Sequence, residues 1–305
     1  MRILVTGGGG YCGVPLCARL LAEGHDVTLV DNFMFGHDPI LHLVTHPSLT
    51  VIARDIRHPD LSYVENQDVV IHLAGLSGYP ACDANSHSAT DINVEATRRL
   101  AAAMSPAQLL VFPSTTSFYG SSGLLSSEET VPSPVSLYGR TKWQAEQVVM
   151  ERPNSIALRW ATVFGVSPRM RFDLLVNDLV ERAIQERVVV LYDPESRRTF
   201  IHIDDVVRGY LFALEHRELM AGRVFNMGSS ELNHSKREIG QRVQRLCGCD
   251  VREAEVPDRD VRDFLACFNR IGALGFRCVR TLDDGIVDMA KLARLAPRWT
   301  AIRPI

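Results

Sequence analysis

The sequence predicts an α/β fold, a doubly wound parallel sheet with a smaller mixed α/β lobe supplied mostly by its second half. Three observations predict it. Short, continuously apolar runs alternate with segments of helical spacing through the first half, the pattern of a parallel sheet covered on both faces. Four consecutive glycines, Gly7 to Gly10, follow the first run and precede the first helical segment. Beyond Gly165 the alternation becomes irregular, as expected of a second lobe. The chain has 305 residues, 46% hydrophobic and 23% charged. At roughly 150 residues per domain that suggests two domains of ordinary globular composition. It excludes a disordered chain, a collagen-like repeat and a disulfide-stapled miniprotein.

The elements follow in order. Residues 2–6 (RILVT) read as a buried strand. Val14, Cys17, Ala18 and Leu21 then recur at helical spacing until Gly24. Strands are predicted at 26–30, 49–53 and 69–73, and a helix over 89–104. A strand over 109–112 is expected to stop at Pro113, which has no N–H for a sheet ladder. A helix over 138–150 and a strand over 155–160 complete the first series. The second half reads as a helix over 172–184, a strand over 188–192, a helix capped by Asp204 or Asp205 and running to about 216, and a strand over 224–227. Helices near 236–246 and 284–295 follow. The expected division is 1–163 plus about 198–228 for the larger lobe, and 164–197 plus 229–305 for the smaller.

The charge balance is −3, which gives no electrostatic reason to expect nucleic acid or an anionic membrane as partner. No apolar run approaches the ~18 residues of a membrane-spanning helix. The start reads as structure and not as an export signal, so a cytoplasmic protein is expected. Seven cysteines show no framework, and Cys247-x-Cys249 does not match the usual zinc spacing. Reduced, mostly buried thiols and no metal are expected. Of 33 basic residues only Lys142, Lys236 and Lys291 are lysines, which suggests a specific need where Lys is kept.

Gly7-x-x-Gly10-x-x-Gly13 stands between the first strand and the first helix. Dinucleotide chemistry needs glycines there for a tight turn, for approach of a pyrophosphate to the backbone, and for close helix packing. Asp31, at the end of the second strand, can accept both ribose hydroxyls of an adenosine and would repel a 2′-phosphate. No Arg or Lys follows in Asn32-Phe33-Met34, so NAD is favoured over NADP.

Tyr138 and Lys142 are four residues apart and share a helix face. A free phenol titrates near ~10 and is a poor base at neutral pH. A nearby ammonium and a positive nicotinamide ring would lower that value.

Together with the glycine turn, Tyr138-Gly-Arg-Thr-Lys142 resembles the extended short-chain dehydrogenase/reductase family, in its NAD-dependent sugar-nucleotide epimerase/dehydratase branch. The resemblance covers nearly the whole chain. It includes Asp55-Ile-Arg57, His72-Leu-Ala-Gly75, Asn93, Ser114-Thr-Thr-Ser-Phe-Tyr-Gly120, Arg159 to Gly165, Arg198 to Asp205 and Asp260-Val-Arg-Asp-Phe. It implies a Rossmann domain holding NAD through Gly7, Gly10, Tyr11, Cys12, Gly13, Asp31 and Asn32. Asp55 and Ile56 would flank the adenine, and Leu73, Ala74 and Gly75 the pyrophosphate and ribose side. Asn93, Pro113, Tyr138 and Lys142 would complete the cofactor site. Tyr138 would be the acid/base, Lys142 its partner, and Thr115 the hydroxyl that orients the sugar. Thr115, Thr116, Thr162 (where the family usually has Asn), Asn177, Arg198 and Arg262 would contact substrate, the last three through its diphosphate. Arg169 and Arg171 fit either a substrate contact or the surface. His72 is expected to be a packed, hydrogen-bonded residue.

The resemblance also narrows the reaction. The family's 4,6-dehydratases carry Asp-Glu directly after the strand-end Thr. Related decarboxylases carry Glu at the second of these positions, and certain reductase-epimerases a Cys. Here the two positions are Thr116 and Ser117. What remains is oxidation of one carbon of a nucleoside-diphosphate sugar and return of hydride, a 4-epimerisation. The alternative is a net 4-dehydrogenase or 4-ketoreductase. Residues 160–178 resemble bacterial polysaccharide-pathway enzymes, some of which oxidise C4 of GDP-heptoses. A third reading is a non-catalytic NAD-binding sensor or structural subunit, but such chains commonly lose the Tyr or the Lys. A homodimer is expected, pairing the helix that starts near His87 and the Tyr138 helix with their twofold mates. Ala96, Leu100, Ala145 and Val149 fit that face or the core of one subunit.

Overall fold

The chain is described by a computed structural model covering residues 1–121, 123–258 and 260–295. The last part of the expected smaller lobe, 296–305, lies outside the described residues. Strands β1 (Arg2–Thr6), β2 (Asp26–Asp31), β3 (Leu49–Ala53), β4 (Val69–His72) and β5 (Leu109–Thr115) join Ser155–Trp160 and Arg223–Met227 in one seven-stranded sheet. The order is β3-β2-β1-β4-β5, then 155–160, then 223–227, and every pairing is parallel. The strand order reverses between β1 and β4. In open α/β sheets, ligands bind at that crevice, outside the carboxyl ends of the strands.

Each face of the sheet is apolar because alternate side chains of the buried strands point to opposite faces. Ile3, Val5, Ile71 and Val111 pack on one side with helix α1 (Gly13–Ala22) and helix Ile203–Glu215. Leu4, Val70, Leu110 and Phe112 pack on the other with helices Ala96–Ala103 and Leu137–Met150. A separate core, with Val176, Val180, Ile239 and Ile286 among its members, joins helices Leu175–Gln185, Lys236–Cys247 and Leu282–Leu295. Strand Arg197–His202 pairs with Thr162–Phe164 and Asn233–Ser235, outside the large sheet.

Four local expectations are corrected. First, β5 does not stop at Pro113 but runs to Thr115. Leu109 N–H points towards β4, bonding the Asp68 carbonyl, and Leu110 N–H points the other way, to Asn154. By alternation the nitrogen of residue 113 faces the β4 side, where pairing ends at Val111, so the missing N–H costs no ladder bond. Second, the helix predicted over 89–104 starts at Ser86 and passes through a wider turn at Asp91–Glu95. Third, His202, not Asp204 or Asp205, caps helix Ile203–Glu215: its ring accepts Asp204 N–H at 3.2 Å. Asp205 is buried and accepts the N–H groups of Val279 and Arg280. Fourth, the helix predicted over 172–184 begins at Leu175, and the last helix begins at Leu282 behind a reciprocal Thr281–Asp284 cap.

Ala96, Leu100, Ala145 and Val149 are all buried within the subunit, so they belong to its own core and do not form a face for a second copy.

His72 ties β4 to its neighbours. Thr97 Oγ1 donates to the Asn93 carbonyl at 2.8 Å and so accepts from His72 Nε2 at 3.0 Å. Nδ1 then accepts from Thr6 Oγ1 at 2.7 Å, which fixes a neutral ring. Burial pushes its pKa down to about 3, with the Lys142 charge acting in the same direction. An unfolded His titrates near ~6.5, so below that pH the unfolded chain binds the extra proton. The His72 contribution is therefore present above about pH 6.5 and is lost as pH falls towards about 3. Urea unfolding at pH 7 and pH 5 should show a smaller loss of stability on acidification for His72→Gln than for wild type. Equal losses would contradict this account.

Candidate active site

The glycine turn is built by contact distances. Gly7 has φ +70°, and a Cβ on it would stand 2.6 Å from Ala74 N. A Cβ on Gly13 would lie 2.3 Å from the Gly7 carbonyl oxygen. These two glycines are fixed by packing. A Cβ on Gly10 would meet only the Gly7 oxygen, at 3.1 Å, so its free side is open to a ligand. Helix α1 has no side-chain cap and no acidic residue in its first turn. Val14 N–H already bonds the Gly10 carbonyl at 3.1 Å and Pro15 has no N–H, so the Gly13 N–H and the positive dipole end are what α1 leaves for an anion. The turn therefore fits the pyrophosphate of a dinucleotide.

Asp31 stands at the end of β2 beside it. One carboxylate oxygen accepts Gly9 N–H at 3.0 Å and the other Phe33 N–H at 2.8 Å, which aims the group. Burial raises its pKa, although these N–H groups and Arg169 act the other way. Asn32 reaches Asp55, which pairs with Arg57, and Ile56 is buried behind them.

Tyr11 and Cys12, between the glycines, face the second lobe. Tyr11 donates its hydroxyl to Gly165 O at 2.7 Å, and Ser167 Oγ donates to Tyr11 O at 2.7 Å. Asn177 accepts Gly165 N–H at 3.0 Å and donates to Arg171 O at 2.9 Å. Its Nδ2 also reaches Tyr11 Oη at 3.3 Å, so both ends of this fully buried amide are engaged within the protein and it is not presented to a diphosphate as expected. Cys12 is a neutral thiol, its pKa pushed up to about 12 by burial.

Helix Leu137–Met150 starts at Ser136, whose Oγ accepts Gly139 N–H at 3.1 Å, and so Tyr138 lies in its first turn. The side chains of Ser77 and Thr115 lie close enough to the Tyr138 hydroxyl to favour its ionised form. Burial raises its pKa; those two side chains and the charge of Arg171 pull against that rise. Lys142 is buried, with Nζ 4.0 Å from the centre of the Phe112 ring. Burial lowers its pKa to about 7, against the pull of Glu146. This corrects the expected electrostatics: without cofactor, Arg171 and not Lys142 is the cation that lowers Tyr138.

Other expected contacts are redirected. Asn93 accepts Leu76 N–H at 2.8 Å and donates to Leu76 O and Thr141 Oγ1, so its amide braces two elements and is spent within the protein. Thr116 is fully buried and donates to Trp160 O at 3.1 Å, so its hydroxyl does not face a substrate. Arg198 is buried and holds the carbonyls of Arg197, Arg262 and Asp260, and it pairs with Asp260. It therefore positions the 260–262 segment. Arg262 pairs with Asp260 and donates to Ser117 Oγ at 2.7 Å, within electrostatic reach of Tyr138. Thr162 begins the short strand Thr162–Phe164 and is half-buried. Leu73, Ala74 and Gly75 follow β4 against Gly7 and Asn93.

Sequence reasoning missed Ser77, a lone serine in a loop with no pattern to mark it. It also left open Arg169 and Arg171, which the structure takes off the surface. Arg171 pairs with Asp173 and donates to Ser77 O at 3.3 Å. Its charge reaches both Tyr138 and Cys12, so Arg171 stands between the Tyr138 end and the glycine turn.

A glycine turn of this kind, at the carboxyl end of such a sheet where the strand order reverses, defines a dinucleotide-binding α/β protein. The narrower class comes from comparison: the description of the NAD-dependent epimerase/dehydratase family matches residues 3–228, and the chain belongs to that family. It is 33% identical over 249 residues to an uncharacterized UDP-glucose epimerase, YtcB, of Bacillus subtilis (strain 168), covering 76% of this chain and 78% of the relative. It is 27% identical to the UDP-glucose 4-epimerase of Yersinia pestis, covering 94% and 96% of the two chains. The crystal structure of UDP-glucuronic acid 4-epimerase from Bacillus cereus, in complex with UDP-glucuronic acid and NAD, superposes with a TM-score of 0.86 at 26% identity. That superposition covers 97% of this chain and 99% of the other.

Lys142 gives a pH test. Its folded pKa of about 7 lies below the unfolded value near ~10.4. Between the two the unfolded chain holds more protons, so this group makes the cofactor-free protein more stable as pH rises through that window. Urea unfolding between pH 7 and 9 should show that slope in wild type and a shallower one in Lys142→Met. Identical slopes would show that Lys142 is charged when folded.

Proposed function

We propose that the protein is an NAD-dependent nucleoside-diphosphate-sugar 4-epimerase, acting by transient oxidation of C4. The observation that carries this reading is the Tyr138 hydroxyl standing near Thr115 and Ser77, at a strand end where Thr116 and Ser117 supply no carboxylate. Gly7, Gly10 and Gly13 with the start of α1 hold the pyrophosphate of NAD, and Asp31 selects a free 2′-hydroxyl. Bound NAD supplies a hydride acceptor that then serves as donor, and a positive ring charge in its oxidised form. Half-buried Tyr138 rests as a phenol, and its ion forms only when positive charge is added nearby. Lys142 supplies part of that charge when it is protonated and bonds the cofactor's ribose. Tyr138 Oη takes the proton of the C4 hydroxyl as hydride leaves the same carbon, and gives it back when hydride returns to the opposite face. Thr115 orients that hydroxyl.

Thr116 and Ser117 supply neither acid nor base, which argues against elimination of water. Thr116 is spent on Trp160 and Ser117 on Arg262. Arg262 meets the diphosphate or the sugar, with Arg198 fixing its segment. Net 4-dehydrogenation or 4-ketoreduction uses the same residues and differs only in releasing the ketone. The proposed division is 1–163 with 198–228 for the cofactor, and 164–197 with 229–305 for the substrate. We further propose a cytoplasmic homodimer. The helices expected to pair would meet through outward residues such as Arg98, Arg99, Gln144 and Gln147, which are exposed. Light scattering should give twice the chain mass of 34.0 kDa; a monomer at working concentration would refute the dimer.

The proposal is tested by incubation with a panel of UDP-, GDP-, dTDP- and CDP-sugars and identification of the products. With the best substrate, Tyr138→Phe should lower kcat by about 10²–10⁴-fold while leaving circular dichroism and NAD affinity unchanged. Thr115→Ala should cost less. Near-wild-type turnover by Tyr138→Phe would show that another group moves the proton.

A further inference from the structure

Arg169 is 4% exposed, yet its charge has no acidic partner among the described residues. Its Nη1 donates to the adjacent Met170 carbonyl at 2.9 Å. Its Nε is buried with no hydrogen-bond partner. Asp173, the carboxylate of the same loop, is taken by Arg171. Burial lowers the Arg169 pKa, and the neighbouring Arg171 adds to the effect. A buried, unpaired guanidinium is destabilising unless something pairs with it.

Its surroundings identify what that is. Two residues earlier, Ser167 is bonded to Tyr11 of the glycine turn. The guanidinium carbon lies 3.9 Å from the centre of the Phe35 ring, in the loop that follows Asp31. It feels the Asp31 charge without forming an ion pair with it. Arg169 thus reaches, from outside the large sheet, the neighbourhood of Asp31 and of the glycine turn, where α1 has its uncapped N-terminus and Gly10 its open side. Those features offer a partial positive charge and an N–H group, and Arg169 adds a full charge with a planar fork suited to phosphate oxygens.

We propose that Arg169 binds the pyrophosphate of the dinucleotide, so that the second lobe contributes directly to holding the cofactor. This rests on the cofactor assignment made above. It gives the buried charge its counter-ion and makes cofactor binding a contact between lobes.

The test is Arg169→Met, which keeps much of the stem and removes the charge. Replacing a buried unpaired charge by an apolar residue of similar volume should leave the cofactor-free melting temperature unchanged or raised. The same substitution should weaken NAD⁺ and ADP-ribose by about tenfold or more, the range of a charge-assisted hydrogen bond. Adenosine, which carries no phosphate, should bind as to wild type when measured by competition against NADH fluorescence. Opposite signs for stability and affinity would not arise from a merely structural residue. The proposal is overturned if the variant binds ADP-ribose like wild type, if adenosine weakens equally, or if the cofactor-free variant melts lower or does not fold. Should wild type itself bind neither NAD⁺ nor ADP-ribose, the cofactor assignment would fall first and this inference with it.

Discussion

A methyl group on Gly13 would stand 2.3 Å from the Gly7 carbonyl oxygen and 2.6 Å from Gly8 Cα, closer than carbon approaches any backbone atom. That crossing holds the start of α1 against the end of β1, and much of the site depends on it. It places the uncapped helix end at the sheet's crevice. It leaves the open side of Gly10 facing outwards. It also turns Tyr11 towards Gly165, where the second lobe is tied on by Asn177 and Ser167. A larger residue at Gly13 would push α1 off the glycine turn, and one at Gly7 would push the turn off Ala74; either would disturb the Tyr11 contact as well as the phosphate site.

The second feature of the structure is the state of its buried ionisable groups. Tyr138 is pushed up and Lys142 down, so both are held towards their neutral forms. Arg169 keeps its charge without a partner. Such a site gains when a molecule carrying both a cationic ring and an anionic diphosphate enters it, because the ring favours the Tyr138 phenolate and the diphosphate meets the Arg169 charge. At Lys142 a side chain that can change protonation is used, whereas arginine at 169 keeps its charge. Two of the three lysines, Lys142 and Lys236, are buried, and Lys236 is fixed by Asp258.

Much of the fold was legible in the sequence because its signals are local. Apolar runs marked 2–6, 49–53 and 155–160 with their true bounds, and the glycine spacing marked the turn. Pro113 misled, since whether a strand tolerates proline depends on which neighbour is still paired at that row, a fact of register and not of composition. Tyr138 and Lys142 were legible as a pair four apart. The partners of Tyr138 were not. Ser77 and Arg171 come from a loop after β4 and from the long connection between strands 155–160 and 223–227, and only folding brings them together. Asn93, Asn177, Thr116 and Arg198 show the reverse. Each matched a family position, but its polar atoms are occupied by carbonyls, N–H groups or carboxylates that no sequence pattern displays.

The central claim is that one carbon of the sugar is oxidised and reduced again within a single turnover, with Tyr138 handling the proton and no acid or base for elimination. The most direct measurement follows a nucleotide sugar carrying deuterium on C4. The account predicts that the epimer forms with the deuterium retained on C4, that no ketone accumulates, and that reduced cofactor is not released in proportion to turnover. Stoichiometric release of deuterated NADH with a 4-keto product would make the protein a net dehydrogenase. Loss of the deuterium to solvent during epimerisation would contradict hydride return altogether.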